Sequence, residues 1–208
     1  MKITFTILLT FVTLLSFDQM SKDSLLRSNI DILVEELEFY YGYDQTLREY
    51  GIFKSFDKSE TNRIENLPDS IKSKILFERE FKSDSLGKII FRDYINPMDA
   101  RHTARMIAIT QKYGFPSVKR LRKYYTKEFK DEEFSPLILL IHSPKKYWEE
   151  LKELIKVELE AKRINRCQYG YLLWHFNGRS DFKYMLENGY QWVVLENGRK
   201  TLKAVDCN

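Results

Sequence analysis

Residues 24–51 read SLLRSNIDILVEELEFYYGYDQTLREYG. Leu26, Ile30, Leu33, Leu37 and Tyr41 advance by four, three, four and four positions. That spacing makes one apolar stripe on a long α-helix, with Gly51 as the expected stop. Asp44 falls three positions after Tyr41 and three before Leu47, so it continues the stripe. A carboxylate aimed at a core must be paired or hydrogen-bonded. Arg48 stands one turn further on, where the two side chains can meet, and Gln45 is adjacent. Two readings follow. The pair is buried and orients helices, or it lines a polar pocket in which Arg48 holds an anionic group or Asp44 acts as base or ligand.

Working outward, helical periodicity continues to about Phe176. Lys54 to Leu67 is polar and reads as a loop. Pro68-Asp69 opens a second helical stretch through Ile71, Ile75 and Leu76, which bends near Ser83 to Gly87 and resumes through Ile89, Ile90 and Tyr94. Asn96-Pro97 is expected to break the chain. A third helix runs from Asp99 to Tyr113 and stops at Gly114-Phe115-Pro116. Ser117 then caps a short basic helix ending near Tyr125. Pro136 to His142 is apolar, and a buried helix or a buried strand would both fit. Ser143-Pro144 marks the next start, with a hydroxyl cap and Pro at the first helical position. That helix reaches about Ile164, with Glu158 one turn before Lys162 as an ion pair. A further helix covers Gln168 to Phe176.

The C-terminus changes character. Tyr190 to Leu195 is aromatic and β-branched, Asn197-Gly198 follows, and Lys200 to Val205 forms a second run. This is a hairpin signal, and a two-residue turn would set Glu196 opposite Arg199. An isolated hairpin is marginal, so it should pack on the helices. The expected fold class is mainly α: one multi-helix domain over residues 18–208 with a small C-terminal β-hairpin near 190–206.

Composition narrows the function classes. Apolar residues make up 43% of the 208 positions and charged residues 31%, which excludes wholesale disorder. Two Cys exclude a disulfide-stapled miniprotein and any multi-Cys zinc module. The first seventeen residues carry Lys2 and then an apolar run from Ile3 to Phe17, too short to span a bilayer. They read as a secretory signal peptide, so the chain is expected to be exported to the periplasm or cell surface. The alternative is a buried or interfacial N-terminal helix. Loss of Lys2 takes the net charge from +4 to +3. No transmembrane helix is expected in the mature chain. Export places Cys167 and Cys207 where oxidation can occur. They either pin the tail by a disulfide or remain a buried Cys167 and a free Cys207.

The polar candidates are few. His102, His142 and His175 are the three histidines. Three His and a water can hold catalytic zinc, but spacings of 40 and 33 fit no short metal motif, so no metal or other cofactor is expected. His142 ends an apolar run just before a helix start, where a polar side chain projects into a cleft or caps the helix. Asp99 and His102 stand one turn apart. They form an acid–base pair, or Asp99 simply complements the helix dipole. There is no Gly-x-Ser-x-Gly elbow and no phosphate-cradling glycine loop. Lys119, Arg120, Arg122 and Lys123 make the densest basic cluster, but Asp131, Glu132 and Glu133 offset it. It reads as a solvated helix face, and no nucleic-acid partner is expected.

The order of these features resembles an uncharacterised bacterial family of helical proteins common in Bacteroidetes, a domain of unknown function. The resemblance rests on Asp44-Gln45 with Arg48, Asp99 leading into Gly114-Phe115-Pro116, and Leu139-Leu140-Ile141-His142. It spans roughly residues 40–195. Members of that family have Trp at the position of Phe115, Gln at that of Ile141, and Asp-Arg near Trp174-His175. Their later Tyr-Gly-Thr-Gln is missing from this chain. The resemblance implies no activity, but it groups Asp44, Gln45, Arg48 and His142 as a shared polar cluster.

The leading expectation is therefore an exported helical domain with a binding or structural role, and a possible partner, at the cell envelope. The alternative is a hydrolase-like or metal-dependent enzyme whose pocket is built from Asp44, Arg48 and His142, with Gln45, Asp99 and His102 nearby. Convergence of Asp44, Arg48 and His142 where solvent reaches them would favour the second.

Overall fold

The computed structural model describes residues 22–79, 84–195 and 198–208. The expected leader, the start of the expected bend at residue 83, and Glu196, the expected partner of Arg199, lie outside the described residues. The fold is mainly helical with a two-stranded antiparallel hairpin, as the periodicity predicts.

Residues 22–28 form α1, and Asn29 turns the chain into α2 (Ile30–Phe53). Leu26, Leu33, Leu37 and Tyr41 are buried along one face of this pair, and Asp44 follows them inward. Gly51 does not stop the helix. It continues for two residues, and Lys54 closes it with φ 56°. The expected loop contains α3 (Lys58–Glu65), nucleated by the Asp57 carboxylate, which accepts from Ser59 and Glu60 N–H. Only Thr61 and Ile64 of α3 are buried, so no apolar stripe announces it.

α4 (Asp69–Glu78) follows Pro68. The chain does not break at Asn96-Pro97. Instead α5 (Asp84–Ile90) passes through a five-residue π-helical segment, Phe91–Ile95, into α6 (Asn96–Tyr113). Proline lacks an N–H, and its ring crowds the carbonyl four residues back in an α-helix. The wider turn, in which Asn96 N–H bonds to Phe91 O, accommodates it.

α6 ends at Gly114, where φ is 71° and a Cβ would strike the Arg163 side chain. The short basic helix α7 (Val118–Arg122) stops before Tyr125. The apolar run forms α8 (Leu137–Ile141), which packs against both α2 and α6. Ser143-Pro144 is not the start of the next helix. Pro144 is extended, a 3₁₀ turn at Lys145–Tyr147 intervenes, and α9 (Trp148–Glu160) begins only then. Among the described residues the Ser143 hydroxyl has no hydrogen-bond partner, while the Ser143 carbonyl accepts from the Trp148 indole at 2.9 Å. α9 also ends four residues before Ile164, with Lys162 in the left-handed region. Glu158 turns inward to Arg163 instead of pairing with Lys162.

α10 (Arg166–Phe176) opens with a reciprocal Asn165–Gln168 capping box and packs on α9, α8 and the short α11 (Lys183–Leu186). The core unites Met106, Ile109, Leu139, Leu140, Leu151, Ile155, Leu172 and Phe176 with the α2 face. Burying each such side chain contributes roughly 1.5–3 kcal/mol.

The hairpin pairs β1 (Tyr190–Val194) with β2 (Lys200–Ala204). Its register differs by one from the two-residue turn: Val194 faces Lys200, and Leu195 N–H bonds to Arg199 O at 2.8 Å. Leu195 and Arg199 thus close the strand pairing, with Gly198 at φ 77° just before Arg199. A Cys167–Cys207 disulfide ties the tail to α10. Gly189 makes the close approach possible, because a Cβ there would collide with the Asp206 carbonyl.

Candidate functional site

Three elements converge where the α2 stripe turns polar. Asp44 and Arg48 lie one turn apart on α2, Asp99 lies in the first turn of α6, and His142 immediately follows α8. Arg48 Nε donates to Asp44 Oδ1 at 2.9 Å, and its Nη2 donates to Asp99. Gln45 Nε2 donates to Asp44 Oδ2 at 2.7 Å. His142 Nδ1 lies 3.1 and 3.0 Å from the two Asp44 oxygens. Asp44 is fully enclosed, whereas the Arg48 and His142 side chains are 21% and 23% exposed. The carboxylate is the buried hub, and solvent reaches the cation and the imidazole.

The electrostatics separate the two carboxyls. Burial alone would raise Asp44, but the His142 hydrogen bond and charge, together with Arg48, hold it below the ordinary carboxylate value. Burial raises Asp99 above that value, and the Asp44 charge adds to this against the pull of Arg48. An ionised carboxylate only accepts, so His142 carries its hydrogen on Nδ1. In the neutral ring, Nε2 then presents a lone pair, the arrangement of an oriented acid–base imidazole.

His102 stands apart from this network. It lies one turn along α6 from Asp99, is 5% exposed and packs against Tyr40 with ring centroids 4.6 Å apart and the planes tilted by 37°. Its Nδ1 has no hydrogen-bond partner among the described residues, and burial depresses its pKa despite the Asp44 charge. His175 on α10 is the residue that spacing did not assign to this cluster. Burial pushes it down to about 4, with Arg179 and His142 adding to the effect. It is wedged between Tyr171 and Trp174, at 4.7 and 4.9 Å. Its sequence neighbours give no polar pattern, and α10, which carries it, packs on α8 just ahead of His142.

Among the described residues, Asp44, Asp99 and His142 offer three ligand atoms within 4.8 Å of one another. Two carboxylates and an imidazole suit a divalent transition metal. The Arg48 guanidinium, however, is already bonded to both carboxylates, and a second cation would have to displace it. The donor set therefore fits a metal poorly while Arg48 stays in place.

The basic cluster is only partly a solvated face. Arg120 is 12% exposed at its side chain, pairs with Asp23 at 2.5 Å and donates to the Tyr113 and Phe115 carbonyls. Arg122 lies over the Phe129 ring. No helix among the described residues is long and apolar enough to cross a membrane. No protein-family model matches the chain, and no curated protein or solved structure does so either.

Proposed function

We propose that the chain is an exported helical domain bearing a hydrolase-like acid–base site. His142 is its proton-transfer group, Asp44 orients His142, and Arg48 holds an anionic group of the substrate. One observation carries this reading: a fully enclosed carboxylate fixes the tautomer of a solvent-reached imidazole and has a guanidinium beside it. In the step that geometry supports, His142 Nε2 takes the proton of an attacking water as oxygen adds to the substrate's electrophilic centre. The imidazolium then returns the proton to the leaving group. Arg48 offsets charge that develops beside it. Export draws support from the apolar leader and from the disulfide.

A panel of chromogenic esters, phosphodiesters and glycosides tests the proposal on the purified protein. His142→Gln keeps a donor toward Asp44 but has no basic nitrogen. It should lower turnover at least about 100-fold with an unchanged urea midpoint. No turnover across the panel, or equal rates for both proteins, would overturn it. N-terminal sequencing of protein recovered from the periplasm or medium tests export.

A second reading, a binding or structural role at the envelope, draws on the same hub. Asp44 has its acceptors filled from α2 and from the residue after α8, and Arg48 reaches α6, so the network clamps three elements. Under that reading His142→Gln changes only stability.

A further inference from the structure

On the flank of α2 lies a groove of about 500 Å³, independent of the Asp44 cluster. Phe39 and Tyr43 form one wall, stacked at 6.2 Å with an interplanar angle of 9°, and are 66% and 38% exposed. Two rings held parallel in water cost hydrophobic free energy unless something covers them. Glu35, one turn before Phe39, and Asp131 also line the groove. Lys130 is the one cation among the described lining residues, and its side chain is 76% exposed beside buried Glu38. Its backbone N–H donates to Glu38 at 2.6 Å, and its Nζ lies 3.9 Å from the same carboxylate, a loose pair that leaves the groove net acidic through Glu35, Glu38 and Asp131.

Gly42 supplies the second, independent observation. It sits inside a 24-residue helix, where glycine costs roughly 1 kcal/mol relative to alanine. Among the described residues nothing lies within 4 Å of where its Cβ would be, so no packing against them requires it. Gly42 lines the groove beside Phe39 and Tyr43, and its missing Cβ leaves that part of the lining bare.

We infer that this groove binds a small organic cation, an alkylammonium or guanidinium group seated over Gly42 against the Phe39 and Tyr43 rings and facing Glu35 and Asp131. The volume falls in the range of small-molecule sites, about 300–1,000 Å³. Aromatic faces attract cations, most strongly where water is excluded. The local field has the right sign. Tyr41, on the groove wall, is pushed up to about 12, first by burial and then by Asp131, Glu133 and Glu49.

The test titrates the full chain with tetramethylammonium and benzamidinium chlorides, followed by amide chemical shifts. The controls are uncharged 3,3-dimethyl-1-butanol and anionic benzoate. Saturable shifts confined to residues 35–46 and 130–134 are expected, with the uncharged control about tenfold weaker. Gly42→Ala should raise the thermal midpoint and still abolish those shifts, which separates lost binding from lost folding. Glu35→Gln should weaken both cations severalfold. Equal binding of the uncharged or anionic control, shifts that do not saturate, or undiminished binding by Gly42→Ala would each overturn the inference.

Discussion

Glu158 and Arg163 form a two-pronged ion pair, at 2.6 and 3.0 Å, in which neither side chain is more than 3% exposed. The same carboxylate accepts from Phe115 N–H at 2.7 Å, so the pair joins the end of α9 to the turn after α6. Removing one partner strands a charge in the interior. Arg163→Met should cost about 3–5 kcal/mol, seen as a fall in the urea midpoint. Adding Glu158→Gln should recover most of that loss, because the amide oxygen still accepts from Phe115.

The Arg48 bridge predicts a related but smaller effect. With its side chain 21% exposed, Arg48→Met should cost up to about 3 kcal/mol, by leaving two carboxylates without their shared cation. A double-mutant cycle with Asp99→Asn measures the coupling, and the double variant should be more stable than Arg48→Met alone.

Histidine burial sets the acid limb of stability. His175 and His102 both have folded-state pKa values below the unfolded value of 6.5. Between 6.5 and about 4 the unfolded chain binds more protons at His175 than the folded one. Stability is therefore full above 6.5 and falls as pH drops through that window. Urea midpoints from pH 7 to 4 should decline, and His175→Phe should flatten the slope.

The two carboxyls of the cluster act in opposite senses. Asp44 is depressed, so its contribution is present above 3.8 and is lost as pH falls through its folded value. Asp99 is raised, so its ionisation disfavours folding at neutral pH, and that cost is relieved in acid. At pH 7, Asp44→Asn should lower the denaturation midpoint more than Asp99→Asn does.

The disulfide closes a 40-residue separation. Cys207→Ser should lower stability by up to about 4 kcal/mol, and thiol titration of the native protein should find Cys167 and Cys207 unreactive. The loss should appear first as exchange of the amides of Val205 and Asp206, which bond to Gly189 O.

The mainly helical class and the hairpin were legible because periodicity and β-branched runs are direct consequences of burial. Asp44 was legible for the same reason, since it breaks an apolar stripe without leaving it. What escaped depended on geometry outside the local window. α3 is held by an Asp57 cap and two buried residues, too few for a pattern. Asn96-Pro97 looks like a stop only if every helical turn is an α turn. Glu158 has a cation four positions on, but its true partner stands five positions on, beyond the reversal of the chain at Lys162. His175 joins the neighbourhood of His142 through the packing of α10 on α8.

The π segment before Asn96 fixes the angular phase of everything after it. An α-helix turns about 100° per residue and the wider turn carries one extra residue, so winding these same residues as ordinary α-helix, with none deleted, would rotate Asp99 by about 100°. Arg48 would then face an empty sector, and α6 would present a different set of side chains to its neighbours. One residue's worth of slack in a helix thus works as a rotary setting that decides which carboxylate meets the guanidinium.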